Sequence, residues 1–191
     1  MTISLTGFMG CGKSSVGQRL ATLLCCPFMD LDSYIENAEE ESVSGIFSSK
    51  GEAYFREQEA LALNALVQKG LGCTDAPELV LALGGGTVTS GKCAGIVHEN
   101  TICIYLKASA STLAANLSKD APAQRSLLAE AAAQGKEAMI RQISLMLEKR
   151  DRAYMECAHI IIDTDGKSID EIAERIAGEI IKSFHPFHAC P

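Results

Sequence analysis

Residues 2–14, TISLTGFMGCGKS, constrain this chain more than any other stretch. Gly7, Gly12, Lys13 and Ser14 stand at the spacing G-x-x-x-x-G-K-[ST], the loop that joins a strand to a helix around a bound phosphate. Glycines let successive backbone N–H groups curl toward one anion, and the helix that follows adds its N-terminal dipole at the same point. The context agrees: residues 3–5 are a short apolar run, and residues 15–24 are amphipathic through Val16, Leu20, Leu23 and Leu24. Gly10, Cys11, Gly12, Lys13, Ser14 and Ser15 are therefore the expected ATP-binding run. Within it, Lys13 reaches the β- and γ-phosphates and Ser14 offers its hydroxyl to Mg²⁺.

A chain of 191 residues with 47% hydrophobic and 21% charged content suits one domain with a sizeable core. Its formal net charge of −7 disfavours non-specific binding to nucleic acid or an anionic membrane. An anionic substrate must then be held by a local cluster drawn from only 17 Lys and Arg residues, which directs attention to each arginine beside a motif. No window has the apolar length of a membrane span, and no basic segment leads into an apolar stretch at the start of the sequence, so a cytoplasmic location is expected. The cysteines lack C-x-x-C spacing and sit mostly in apolar segments, where buried free thiols are the expectation. Cys11 lies inside the phosphate loop, near positive dipole ends that should lower its pKa.

Apolar periodicity alternates between strands and helices along the chain, without an internal repeat. Residues 27–32 predict a short strand ending in two carboxylates, Asp30 and Asp32. A polar helix over 33–41, with Tyr34 and Ile35 facing inward, a second short helix over 42–47 and a long one over 53–69 follow. Residues 71–78 read as a surface connection, and residues 79–83 as a buried parallel strand running into Gly84-Gly85-Gly86. Strands near 101–106 and 159–162 alternate with helices over 90–97, 109–117 and 136–155. Ser168 and Glu171 form a capping box, ahead of an apolar face of Ile169, Ile172, Ala173, Ile176 and Ile180. The expected fold class is α/β: a three-layer α/β/α sandwich around a five-stranded parallel sheet, with ligands at the carboxyl ends of the strands.

Several side chains in this frame suit phosphoryl chemistry. Asp30 and Asp32 can serve a Mg²⁺ and a hydroxyl nucleophile, one each, although an Asp pair capping the next helix would read the same way. Arg56 and Glu59 stand one helical turn apart, so Glu59 can fix a guanidinium that binds a carboxylate with two prongs. The same spacing also describes an ordinary solvated ion pair. The glycine triplet would let a ligand approach backbone N–H groups closely.

In this order, GFMGCGKS, FMDLD, GEAYFREQE, LALGGGTVT, QRSLL and EKRDRAY resemble the shikimate kinase family over roughly residues 2–164. The resemblance implies a P-loop kinase fold of the nucleoside monophosphate kinase type: one domain over 1–183, with a small substrate-binding subdomain at about 32–61 and a lid at about 118–134, then a tail over 184–191. It implies transfer of the ATP γ-phosphoryl to the 3-hydroxyl of shikimate in aromatic amino acid biosynthesis, with Mg²⁺ as cofactor and a monomeric enzyme. By matched position, Lys13 contacts the transferred phosphate, Asp30 holds Mg²⁺ through water, and Asp32 binds the acid's hydroxyls and serves as base. Arg56 and Arg150 clamp the carboxylate, Gly85 and Gly86 offer backbone contacts, and Arg125 arrives with the lid.

This sequence departs from the family pattern in places. Ser126 stands where the lid often has proline. Residues 114–117, Ala-Ala-Asn-Leu, lack the arginine that stacks on adenine, leaving Lys119 as a substitute, and Arg152 is an extra cation beside Arg150. A kinase for another hydroxy acid such as gluconate shares the loop and the need for a clamp. A non-catalytic nucleotide-binding module shares only the loop, and the chain lacks the N-K-x-D guanine motif of GTPase switches.

Overall fold

The computed structural model describes residues 1–69, 77–119 and 126–184. The apolar run after Met1 forms β1 (Thr2–Thr6), fully buried at the centre of the sheet. The other strands are β2 (Phe28–Asp30), β3 (Leu79–Ala82), β4 (Thr101–Lys107) and β5 (Ile160–Asp163). All pairings are parallel, in the order β2-β3-β1-β4-β5. A parallel sheet needs a crossover for every strand, which is why helices alternate with strands and cover both faces. Burial on both sides explains the continuous apolar strands: Ile3 and Leu5 in β1 and every residue of β3 are inaccessible to solvent or nearly so.

The helices are α1 (Lys13–Leu23), α2 (Leu31–Glu39), α3 (Val43–Ser49), α4 (Gly51–Lys69), α5 (Gly91–Asn100), α6 (Ala110–Leu117), α7 (Ser126–Ala133), α8 (Lys136–Cys157) and α9 (Ile169–Phe184). α1 packs against α9, and α5 packs against α4, α8 and β4. Phe55, Leu63, Leu66 and Val67 form the buried side of α4 as their spacing predicts, and α2 and α3 pack onto that helix. In β1, Ser4 shares a 2.7 Å hydroxyl contact with Thr101, whereas the buried hydroxyls of Thr2 and Thr6 have no partner.

Some expectations change. Asp30 ends β2, but Asp32 does not share that position: it lies in the first turn of α2, because the Asp30 side chain caps that helix by accepting from the Ser33 N–H at 3.2 Å. Tyr34 is half-buried rather than turned fully inward. Ile169 is 46% exposed, while Ile172, Ala173, Ile176 and Ile180 are buried, so the apolar face of α9 begins one turn later than its sequence suggests. Among the described cysteines, Cys11, Cys93, Cys103 and Cys157 are buried free thiols, Cys25 is exposed and Cys26 half-exposed. Arg125, residues 120–125 of the lid, the connection as far as residue 76, and the tail from residue 185 lie outside the described residues. Among the described residues no helix is long and apolar enough to cross a membrane.

The capping box closes as read: the Ser168 hydroxyl accepts from the Glu171 N–H at 3.2 Å, and the Glu171 carboxylate accepts from the Ser168 N–H at 2.7 Å. Ser168→Ala should therefore cost about 1 kcal/mol and lower the ligand-free Tm by about 2–4 °C. Thermal unfolding followed by circular dichroism checks this, and an unchanged Tm would show that the box adds nothing to α9.

Candidate active site

The phosphate loop leaves the carboxyl end of β1 and enters α1 at Gly12, whose left-handed backbone (φ 93°) turns the chain into the helix. Gly7 has φ 142°, and a Cβ there would lie 2.7 Å from the Leu106 carbonyl and 2.9 Å from Cys11 Sγ, so only glycine fits between β4 and the loop. Lys13 Nζ donates to the carbonyls of Gly7 and Phe8 at 3.0 and 3.2 Å, folding its cation over its own loop. The Ser14 hydroxyl donates to Asp30 Oδ2 at 2.7 Å, joining the start of α1 to the end of β2. Asn116 Nδ2 reaches across from α6 to donate to the Gly10 carbonyl at 3.0 Å, so it braces the loop.

The triplet after β3 is where the remaining groups converge. A Cβ on Gly84 would lie 2.6 Å from Asp32 Oδ1, one on Gly85 would lie 3.4 Å from the Met9 N of the phosphate loop, and one on Gly86 would lie 2.9 Å from Arg56 Nη2. Each missing side chain makes room for a different part of the site. Arg150 closes the group from α8, with Nη1 donating to the Gly85 carbonyl at 3.2 Å and its guanidinium 5.7 Å from the Phe8 ring. Arg56 and Arg150 thus meet the same glycine turn that approaches the phosphate loop through Gly85.

Arg56 is not a solvated partner on a helix face. Its Nη1 donates to Glu59 Oε2 at 2.8 Å and its Nη2 to Glu52 Oε1 at 3.3 Å, and Glu59 is 0% exposed. The other Glu59 oxygen accepts from the buried Thr87 hydroxyl at 2.6 Å. A buried carboxylate needs such satisfaction, and here both oxygens are used. The Arg56 side chain remains 27% exposed. The i,i+3 spacing signalled the pair. The burial of Glu59 and its Thr87 partner carried no local sequence signal.

A cavity of about 920 Å³ runs from Asp30, Asp32 and Gly85 across residues 9–16 to Asn116, Lys119, Thr164 and residues 166–169. Its far wall, including the exposed Ile169 and Gly166, was missed by sequence reasoning. The exposed apolar residue after a turn glycine was the available signal. Arg152 lies outside this group: it pairs with Glu156 at 2.7 Å on the same helix, and its side chain is 86% exposed.

A family model described as shikimate kinase matches residues 9–181. The chain belongs to the shikimate kinase family. It is 37% identical over 176 residues to a shikimate kinase of Dictyoglomus turgidum, covering 92% of this chain and 94% of that one. Among solved structures, a shikimate kinase from Acinetobacter baumannii in complex with shikimate superposes with a TM-score of 0.81 at 31% identity, covering 95% of this chain and 93% of that one. One from Bacteroides thetaiotaomicron gives 0.80 at 28% identity, with 95% and 98% covered. As a shikimate kinase family member the chain is an ATP-dependent kinase, and its five-stranded parallel sheet is the P-loop kinase fold.

Electrostatics separate the residues gathered at this turn. Burial raises the Asp32 carboxyl from 3.8 to about 6. Asp30 adds to the rise, Lys13 opposes it, and Glu59 and Glu36 contribute further. Cys11 departs from expectation: its thiol is pushed up, because burial outweighs the nearby Lys13 and the loop N–H groups. Cys11 is a buried packing residue of the loop.

The folded state holds the Asp32 proton more tightly than the unfolded chain does. Its contribution to stability is thus complete below the ordinary value of 3.8 and is lost as pH rises through about 6. Asp32→Asn should leave the ligand-free protein more stable than wild type at pH 8, on the order of 2 kcal/mol, with the gap shrinking toward pH 4. Urea unfolding at both pH values checks the sign, and a destabilised variant at pH 8 contradicts it.

Proposed function

We propose that this crevice transfers the γ-phosphoryl group of ATP to the 3-hydroxyl of shikimate, giving 3-phosphoshikimate and ADP. One observation carries the reading: a phosphate loop, a buried carboxylate and two arginines meet at a single glycine turn. Shikimate offers one carboxylate and three hydroxyls, and this set of groups matches them. Arg56, held by Glu59, and Arg150 bind the carboxylate from two sides. The backbone of Gly85 and Gly86 supplies hydrogen bonds at the ring. Asp32 accepts hydrogen bonds from the substrate hydroxyls and, ionised above about pH 6, serves as the base for the reacting proton.

The ATP side uses Gly10, Cys11, Gly12, Lys13, Ser14 and Ser15. Their backbone N–H groups and the α1 dipole hold the phosphates, and Lys13 leaves the Gly7 and Phe8 carbonyls for the migrating group. The base extends toward Thr112, Lys119 and Ile169, where the exposed isoleucine gives it an apolar contact. The Ser14 hydroxyl and the Asp30 carboxylate, 2.7 Å apart, are the hard oxygen donors that Mg²⁺ prefers. Among the described residues no cluster of three or more His, Cys, Asp or Glu would hold a metal alone, so phosphate oxygens and water complete the set. Mg²⁺, when bound, would neutralise charge on the β- and γ-phosphates. Residues 32–61 act as the acid-binding subdomain. A lid over 118–134 brings Arg125 to the transferred group and excludes water that would otherwise take the phosphate. The proposed enzyme acts as a cytoplasmic monomer on ATP and shikimate.

A coupled assay with Mg·ATP should show ADP appearing only when shikimate is supplied. Folded protein with no shikimate-dependent turnover, or with equal turnover on gluconate, rules the reading out. Arg56→Lys should raise the KM for shikimate at least tenfold while moving the KM for ATP less than about twofold, because a point charge cannot reproduce the two-pronged contact. Equal changes in both constants would remove Arg56 from the clamp.

A further inference from the structure

The Gly85 carbonyl accepts from two donors, both on α8. Arg150 Nη1 donates to it at 3.2 Å, and the Tyr154 hydroxyl, one turn along the same helix face, makes a short bond to the same oxygen. Tyr154 is 0% exposed, and its ring packs 5.1 Å from that of Tyr105, whose hydroxyl is tied to Asp151 at 2.6 Å. A fully buried tyrosine held from the side in this way keeps its hydroxyl on the Gly85 carbonyl. Burial also pushes that hydroxyl up to about 12, so it stays a donor throughout the neutral range.

The peptide between Gly85 and Gly86 is trans, so fixing its C=O toward α8 directs the Gly86 N–H away from α8. Gly86 is also the residue that packs against Arg56. A peptide flanked by glycines turns over at little cost, because neither side has a Cβ to resist it. The feature that admits Asp32 and Arg56 so closely thus leaves this peptide plane unpinned by its own residues. Arg150 helps to pin it. On the reading above, Arg150 turns to the substrate carboxylate, and the Gly85 oxygen would then lose a donor just as the acid arrives.

We propose that Tyr154 is a positioning residue for the acceptor: its hydroxyl alone holds the Gly85–Gly86 peptide once Arg150 engages the carboxylate, keeping the Gly86 N–H aimed at the bound acid. The proposal rests on the assignment of Arg150 to the clamp and gives the tyrosine a role that its burial by itself does not.

Tyr154→Phe keeps the ring and removes the hydroxyl. Steady-state kinetics should show the KM for shikimate raised about three- to tenfold, with kcat and the KM for ATP within about twofold of wild type. A variant with a lowered Tm and unchanged KM values would show a packing role only and overturn the proposal, as would an equal rise in both KM values. In the wild-type chain, proton NMR gives a second readout that needs no variant. The shielded Tyr154 hydroxyl proton should persist when shikimate saturates the site, and its loss on saturation overturns the proposal. Wild-type turnover that ignores shikimate strikes the underlying reading. Shikimate-dependent wild-type turnover with an unshifted Tyr154→Phe KM strikes only the tyrosine.

Discussion

Everything in this crevice depends on close approach to a backbone that has no side chains. Gly84, Gly85 and Gly86 are contacted in turn by a carboxylate from α2, the phosphate loop after β1 and a guanidinium from α4, while α8 reaches the same peptide with Arg150 and Tyr154. A methyl group at Gly84 or Gly86 would stand inside 3.0 Å of a charged atom. The triplet acts as a hub at which the sheet, the loop and three helices agree on one geometry. It can do so because β3 pairs with β1, so the turn after β3 and the loop after β1 leave the sheet side by side.

That hub sits in a protein whose net charge of −7 opposes its own anionic substrates. The opposition is overcome locally. Glu59 is fully buried, yet it is matched by Arg56 on one oxygen and by the Thr87 hydroxyl on the other. Its negative charge is used up inside the protein, and the Arg56 side chain stays partly exposed. Asp32 is treated in the opposite way: burial, Asp30, Glu59 and Glu36 all act against its ionised form, and only Lys13 favours it. One acid is satisfied and serves as a prop. The other is left short of partners, which suits the proton exchange and hydroxyl binding proposed for it.

Much of this was legible in the sequence for physical reasons. The phosphate loop is a local motif whose residues all lie within one strand–loop–helix turn, and the alternation of apolar runs with amphipathic stretches fixes a parallel sheet. The capping box at Ser168 and Glu171 and the Arg56–Glu59 pair are likewise set by spacings of three, which a helix makes adjacent. What could not be read were contacts between segments far apart in the chain. Thr87 on Glu59, Asn116 on Gly10 and Tyr154 on Gly85 join residues 28, 106 and 69 positions apart. Cys11 was misjudged for a related reason: the loop N–H groups and Lys13 lower its pKa as the sequence suggests, but burial by the surrounding fold outweighs them. Ile169 fits the apolar pattern of α9, yet it sits at the first turn, where the helix emerges beside the cavity.

The contacts of the site's cations and hydroxyl bear on where binding energy would go. Lys13 lies on the carbonyls of its own loop, Arg150 on Gly85, and the Ser14 hydroxyl on Asp30. On the proposed function, Lys13 and Arg150 exchange these partners for phosphate and carboxylate, and the Ser14–Asp30 pair turns together to Mg²⁺. The loss is small, because each leaves an exchangeable contact rather than water for a buried site, and the gain is order: none of the three has to be recruited from a solvated rotamer. Arg56 is the exception, since its carboxylate partner is buried and stays. On the proposed function, the clamp combines one fixed arm with one that is released, and the fixed arm sets the register in which the acid would meet Asp32.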